Sequence, residues 1–141
     1  YFALEIPDNR QHDSYLNLPL DEMMLHIQKA IENGHPVCWE GDISEEGFIH
    51  AKDNYVDIPE NERPVTPTSR QEEFEQLRTT DDHVMEIIGT FLKDEQRYYV
   101  CRNSAGKIWG NQGLIYLSED YIRLKTIAVF MSEEAFLFDR K

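Results

Sequence analysis

The sequence predicts an α+β domain: a mostly antiparallel sheet with one main helix over about residues 19–33 and a short second helix over about 70–77. Two patterns carry this reading. Leu20, Met23, Met24, Ile27, Ala30 and Ile31 recur at helical spacing on one face. Four later runs, over about 83–92, 97–103, 113–117 and 124–131, are rich in β-branched, aromatic and other apolar residues and are separated by polar turns. The totals agree, since 141 residues with 40% hydrophobic and 11% aromatic content suffice for one folded domain with a core.

Charge narrows the partners. The net charge is −13. It is concentrated in residues 1–62, where 14 acids face 3 bases; residues 63–141 hold 13 acids against 11 bases. Such a surface repels nucleic acid and anionic membranes, so neither is expected as a partner. No apolar run approaches the ~20 residues of a membrane span. Cys38 and Cys101 fit no zinc spacing, and no cofactor or metal is expected. Both are read as free, buried thiols in a reducing compartment, hence a cytoplasmic protein. The chain begins within a strand-like run and without an initiating Met, and is read as a piece of a longer protein.

Tyr1 to Ile6 reads as a strand, and Asp8 to Ser14 as polar turn material. Pro19 suits the first helical position, because its missing N–H would be unpaired there anyway. Asp21 and Glu22 suit the positive end of the helix dipole, and Gly34 can take the left-handed conformation that stops the helix. His26 and His35 are expected to be structural or solvated, not ligands. Pro36 to Glu40 reads as a buried strand, Ser44 to Phe48 as a charged connection, and Phe48 to Ala51 as a further short strand. Lys52 to Thr68 carries three prolines and little periodicity, and reads as a surface loop. Ser69 with Glu72 is a capping-box pattern opening the second helix, with Phe74 and Leu77 inward. Gly113 to Leu117 is a strand, Ser118 to Tyr121 a turn or one helical turn, Leu124 to Met131 a strand, and Ser132 to Lys141 a tail with Phe136 and Phe138.

The stretch from Thr79 to Gly106 organises the rest. Two β-rich runs flank the polar turn Lys93 to Gln96, so they form a hairpin with His83 and Asn103 both at its open end. An imidazole held by a side-chain amide is half of a Cys-His-Asn constellation. The amide carbonyl sets the ring's orientation and tautomer, and the other ring nitrogen serves a thiolate.

These residues, Asp-Asp-His-x-Met followed by Tyr-Tyr-x-x-x-Asn-Ser-x-Gly, resemble the C-terminal half of a papain-like cysteine peptidase, and most closely the bleomycin hydrolase/aminopeptidase C branch. Leu18-Pro-Leu-Asp-Glu-Met-Met24, Asn33-Gly-His-Pro-Val-Cys-Trp39, Gly41-Asp-Ile-Ser-Glu-Glu-Gly-Phe48, Ser69-Arg-Gln-Glu-Glu-Phe74 and Tyr121 to Val129 extend the resemblance along almost the whole chain. It implies the β-rich half of that fold, with His83 as general base and acid and Asn103 as its orienter. An ordinary imidazole pKa near ~6.5 suits a group that must take and give a proton.

The resemblance also implies what is missing. The family's nucleophilic cysteine follows an upstream glutamine and opens a helix in the other half. Neither Cys38-Trp39 nor Cys101 matches it, so the isolated chain is expected to be inactive. The implied partners are a peptide substrate, the Cys-bearing half, and further copies of itself in a hexameric ring. Ala105 stands where the family usually has a tryptophan that shields the His–Asn hydrogen bond, and Trp109 is the candidate to replace it. The chain's end, from Phe136 to Lys141, does not match the branch's cleft-restricting tail, so exopeptidase specificity is less secure than peptidase ancestry. A catalytically degenerate peptide-binding relative and an independent acidic binding domain are the alternatives.

Overall fold

The computed structural model describes residues 1–7 and 9–137; Asp8, Phe138 and the end of the expected tail lie outside them. At the N-terminus, β1 (Phe2–Ala3) pairs antiparallel with β2 (Ser14–Tyr15). The expected strand over 1–6 is this short because a loop breaks away after Ala3. Asn9 holds that loop, its side-chain amide donating to the carbonyls of Leu4 and Asp13, each at 2.9 Å.

Helix α1 (Leu20–Glu32) follows the predicted stripe, burying Leu20, Met24, Ile27 and Ala30. Pro19 is its N-cap, not its first helical residue; the Pro19 carbonyl accepts the Met23 N–H at 3.0 Å. His26 is buried too, its ring stacked on Phe136 at 4.5 Å. Gly34, at φ +82°, ends the helix as expected. The N–H groups of Gly34 and His35 close it by donating to Ile31 and Ala30.

Strand β3 (Val37–Gly41) buries Val37 and Trp39 completely. The Trp39 indole donates to Thr126 Oγ1 at 2.7 Å, giving a fully buried N–H its partner. The stretch expected as a connection and a strand is instead one helical turn, α2 (Glu46–Ile49). It turns Phe48 toward Trp109 and Tyr121, at 6.3 and 6.5 Å between ring centroids. Gly47 permits the approach, since a Cβ there would collide with the Asp57 carbonyl oxygen.

The region expected as a loop, 52–68, is tied down throughout. It holds β4 (Tyr55–Val56) and a 3-10 turn over Glu60–Glu62, and it buries Val56, Ile58 and Val65. Arg63 is its rivet, donating to Asp57 at 2.5 Å, Asp120 at 2.8 Å and the Ile58 carbonyl at 3.1 Å. Burial opposes the charge on Asp57, but hydrogen bonds from Arg63, Ser118, Gln96 and the Ile58 N–H outweigh it and hold the carboxyl below its usual range. The stability contributed by Asp57 is therefore present above its unfolded pKa of ~3.9 and lost as pH falls through the lower folded value. Asp57→Asn is expected to flatten the acid limb of the stability–pH curve below about pH 4. Chemical denaturation at stepped pH checks this, and an unchanged slope counts against it.

Helix α3 (Pro67–Glu75) starts and stops two to three residues earlier than expected. Its cap is Thr66, not Ser69. Thr66 Oγ1 accepts the Ser69 N–H at 3.1 Å while Ser69 Oγ accepts the Thr66 N–H at 2.9 Å. This reciprocal pair, with Pro67 at the first helical position, wins over the Ser69–Glu72 pairing. With the helix over by Glu75, Leu77 sits at φ 56° and is 79% exposed instead of inward.

Strands β5 (His83–Lys93) and β6 (Gln96–Arg102) form the expected hairpin. Its loop has two residues, not four, since Lys93 pairs with Gln96 and only Asp94 and Glu95 turn the chain. Both have positive φ, 50° and 64°, the geometry that matches the twist of the flanking strands. Glu95→Gly is expected to stabilise the protein by about 0.5–1 kcal/mol, because glutamate pays a left-handed penalty that glycine avoids. A thermal melt that fails to rise would count against this.

Strand β7 (Leu114–Ser118) then leads into α4 (Glu119–Lys125), capped by Ser118 Oγ accepting the Tyr121 N–H at 3.1 Å. The helical alternative for Ser118 to Tyr121 holds and runs on to Lys125, about two turns in all, so β8 (Thr126–Phe130) is shorter than the strand expected over 124–131. Helix α5 (Glu133–Leu137) lies in the expected tail. The sheet order is β4-β7-β6-β5-β3-β8, antiparallel throughout except for β4 with β7. Trp39, Met85, Ile87, Tyr99, Cys101, Ile115 and Leu117 line its core face together with α1 and α4.

Candidate active site

The open end of the β5–β6 hairpin brings His83 and Asn103 together. His83 is the first residue of β5, and Asn103 immediately follows β6. His83 Nε2 lies 2.9 Å from Asn103 Oδ1. The Ser104 N–H also donates to that same atom, at 2.8 Å. A backbone N–H can only donate, so the atom is the amide oxygen, and the imidazole nitrogen facing it must carry the proton. His83 is thereby set as the Nε2–H tautomer, with the lone pair of Nδ1 left for another group. Asn103 is itself anchored, its N–H donating to the Gly113 carbonyl at 3.1 Å, and Ser104 serves as a backbone donor.

One neighbour of the histidine, Asp82, is tied to the backbone of the loop after β3. Asp82 Oδ1 accepts the Ile43 N–H at 2.8 Å, and the Asp82 N–H reaches the Gly41 carbonyl at 3.4 Å. Asp81 Oδ2 is buried with no hydrogen-bond partner among the described residues.

The thiols are placed elsewhere. Cys101 is fully buried on the core face opposite Ile87, and burial pushes its pKa up. Cys38 is half-buried in β3, its thiol pushed up by burial and then by Glu40 and Glu86. Both environments favour the protonated thiol, the reverse of what a nucleophile needs. Trp109, the candidate replacement for the shielding tryptophan, stacks on Phe48; Ala105 is exposed. Among the described residues no group of three or more His, Cys, Asp or Glu side chains could hold a metal ion. No helix there is long and apolar enough to cross a membrane.

The main residue not singled out from sequence is Asp42. It is 1% exposed, and its carboxylate accepts the N–H groups of Ser44 and Thr80, each at 2.8 Å. The signal was present as Asp42-Ile-Ser44, the pattern of a carboxylate folded over its own turn. What could not be read locally is the contact with Thr80.

No protein-family model and no curated protein matches the chain. Among solved structures, it is similar to PepW from Lactobacillus rhamnosis HN001, with a TM-score of 0.66 and 20% identity over 85% of this chain. The chain spans 28% of PepW. A looser similarity, TM-score 0.48 at 19% identity, covers 79% of this chain and 31% of a structure from work on the mite allergens Blo t 1 and Der p 1. That level does not establish a shared fold. The similarity to PepW supports a papain-like fold for this chain, which matches part of that fold.

Proposed function

We propose that this chain is the histidine- and asparagine-bearing part of a cysteine peptidase of the bleomycin hydrolase/aminopeptidase C type. The observation that carries the reading is the 2.9 Å His83–Asn103 hydrogen bond, which leaves Nδ1 as a free base on a papain-like scaffold. The nucleophile comes from a Cys-bearing part, because Cys38 and Cys101 are in the wrong environments.

In the assembled site, the cysteine thiol gives its proton to His83 Nδ1, and the resulting ion pair keeps the sulfur nucleophilic. The thiolate adds to the scissile carbonyl. The imidazolium then protonates the leaving amine as the C–N bond breaks, leaving a thioester. Water gives a proton to the same nitrogen as it attacks the thioester, and the acid product departs with the thiolate restored. Asn103 holds the ring plane and tautomer through both half-reactions.

The test is to produce the chain together with the Cys-bearing part and to assay hydrolysis of aminoacyl amides with and without thiol alkylation. Thiol-dependent release by the assembly, and none by this chain alone, is expected. A folded assembly that binds peptides without thiol-dependent cleavage would overturn the reading in favour of a degenerate binding relative, which the exposed Ala105 also suits.

A further inference from the structure

The segment that delivers His83 has an anchor of its own. Every polar atom of Asp42 is engaged. Oδ1 accepts the Ser44 N–H at 2.8 Å and the Ser44 hydroxyl at 2.7 Å. Oδ2 accepts the Thr80 N–H at 2.8 Å and the Thr80 hydroxyl at 3.2 Å. The Asp42 N–H donates to the Lys125 carbonyl at 3.1 Å, and its carbonyl accepts the Tyr121 hydroxyl at 2.7 Å. Burial opposes the charge, but the bonds from Ser44 and Thr80 outweigh it, and the carboxyl lies below its usual range.

These bonds have a direction. Asp42 directly follows β3, whose last residue, Gly41, is the Cα partner of His83. Thr80 lies three residues before the histidine. Between them, Asp82 repeats the tie in reverse by accepting the Ile43 N–H. Two short loops are thus laced together at the point where β5 begins.

We propose that Asp42 is the positioning residue of the histidine, holding residues 80–82 so that the imidazole meets Asn103 in one tautomer. The inference rests on the reading of His83 as base and Asn103 as orienter, but its structural content can be measured apart from catalysis. An ionised carboxylate suits the task because donors approach both of its oxygens. An asparagine would turn an amide group toward one set of them and leave those donors unpaired.

The experiment is long-range proton–nitrogen correlation spectroscopy of the imidazole in this chain. In the parent sequence the two His83 nitrogens should give well-separated signals, with Nε2 protonated. In Asp42→Ala they should converge toward tautomer averaging while the methyl signals of Ile27 and Ile87 stay in place. Asp42→Asn should fall between. A folded Asp42→Ala with unchanged His83 nitrogens overturns the proposal. Should that variant not fold, amide exchange in the parent chain decides. Protected Thr80, Ser44 and Ile43 N–H groups support the tie, and exchange of Thr80 at the rate of a free chain overturns it.

In the assembled peptidase, Asp42→Ala should lower kcat by roughly 100-fold with KM within about twofold, as small misplacements of a catalytic group do. A tautomer that responds to Asp42 in a protein without peptidase activity would sink only the catalytic reading. Activity lost without any tautomer change would sink only this one.

Discussion

In the proposed peptidase assembly, His83→Ala is expected to lower kcat/KM by roughly 10⁴-fold or more, leaving only what binding and oxyanion stabilisation supply. On the proposed function the imidazole holds the thiol's proton, passes it to the leaving amine and then activates water, and alanine does none of these. Asn103→Ala should cost less, roughly 10²-fold, because the base remains but loses the acceptor that fixes its Nε2–H. Asn103→Asp should retain more than alanine, since a carboxylate oxygen can still accept from that nitrogen and from the Ser104 N–H. Steady-state rates on an aminoacyl amide, with circular dichroism to confirm folding, provide the check. A folded His83→Ala within tenfold of the parent would remove His83 from the mechanism.

Lys125→Met is expected to cost about 3–5 kcal/mol of stability, the usual result of breaking a buried ion pair from one side. The Lys125 side chain is 1% exposed. Its ammonium sits 3.1 Å from Glu45, 3.0 Å from Glu73 and 3.1 Å from the Arg78 carbonyl. Burial opposes the charge, but the two glutamates outweigh it and raise the pKa above the ordinary lysine value. Nearby, Glu62 is pushed up, mainly by burial, and its Oε2 has no hydrogen-bond partner among the described residues. Methionine would fill the space of the lysine stem but leave the carboxylates of Glu45, Glu62 and Glu73 facing one another with less compensation. Arg78 also holds Glu73, at 2.7 Å. Urea denaturation reads the effect, and a loss under about 1 kcal/mol would show that relaxation or water relieves the cluster. The damage should reach the site, because Lys125 joins α4 to Glu45 and to the Arg78 carbonyl, five residues before His83.

The sequence by itself determined the elements whose signal is local and repeated. Helix α1 came from an apolar stripe over three turns, and the β5–β6 hairpin from two long β-rich runs around a polar turn. The meeting of His83 and Asn103 followed from that hairpin, because antiparallel pairing brings the start of one strand beside the end of the next. Tertiary structure decided what local pattern could not. The turns at α2 and α4 are too short for periodicity to show, and they form because Phe48, Tyr121 and Ile122 have a core to enter. The region 52–68 reads as a loop, yet Arg63 rivets it through Asp120, 57 residues away in the chain. The carboxylate of Asp42 reaches Thr80 across 38 residues. A buried charge must find its partners wherever the fold brings them, and sequence spacing carries no record of that distance.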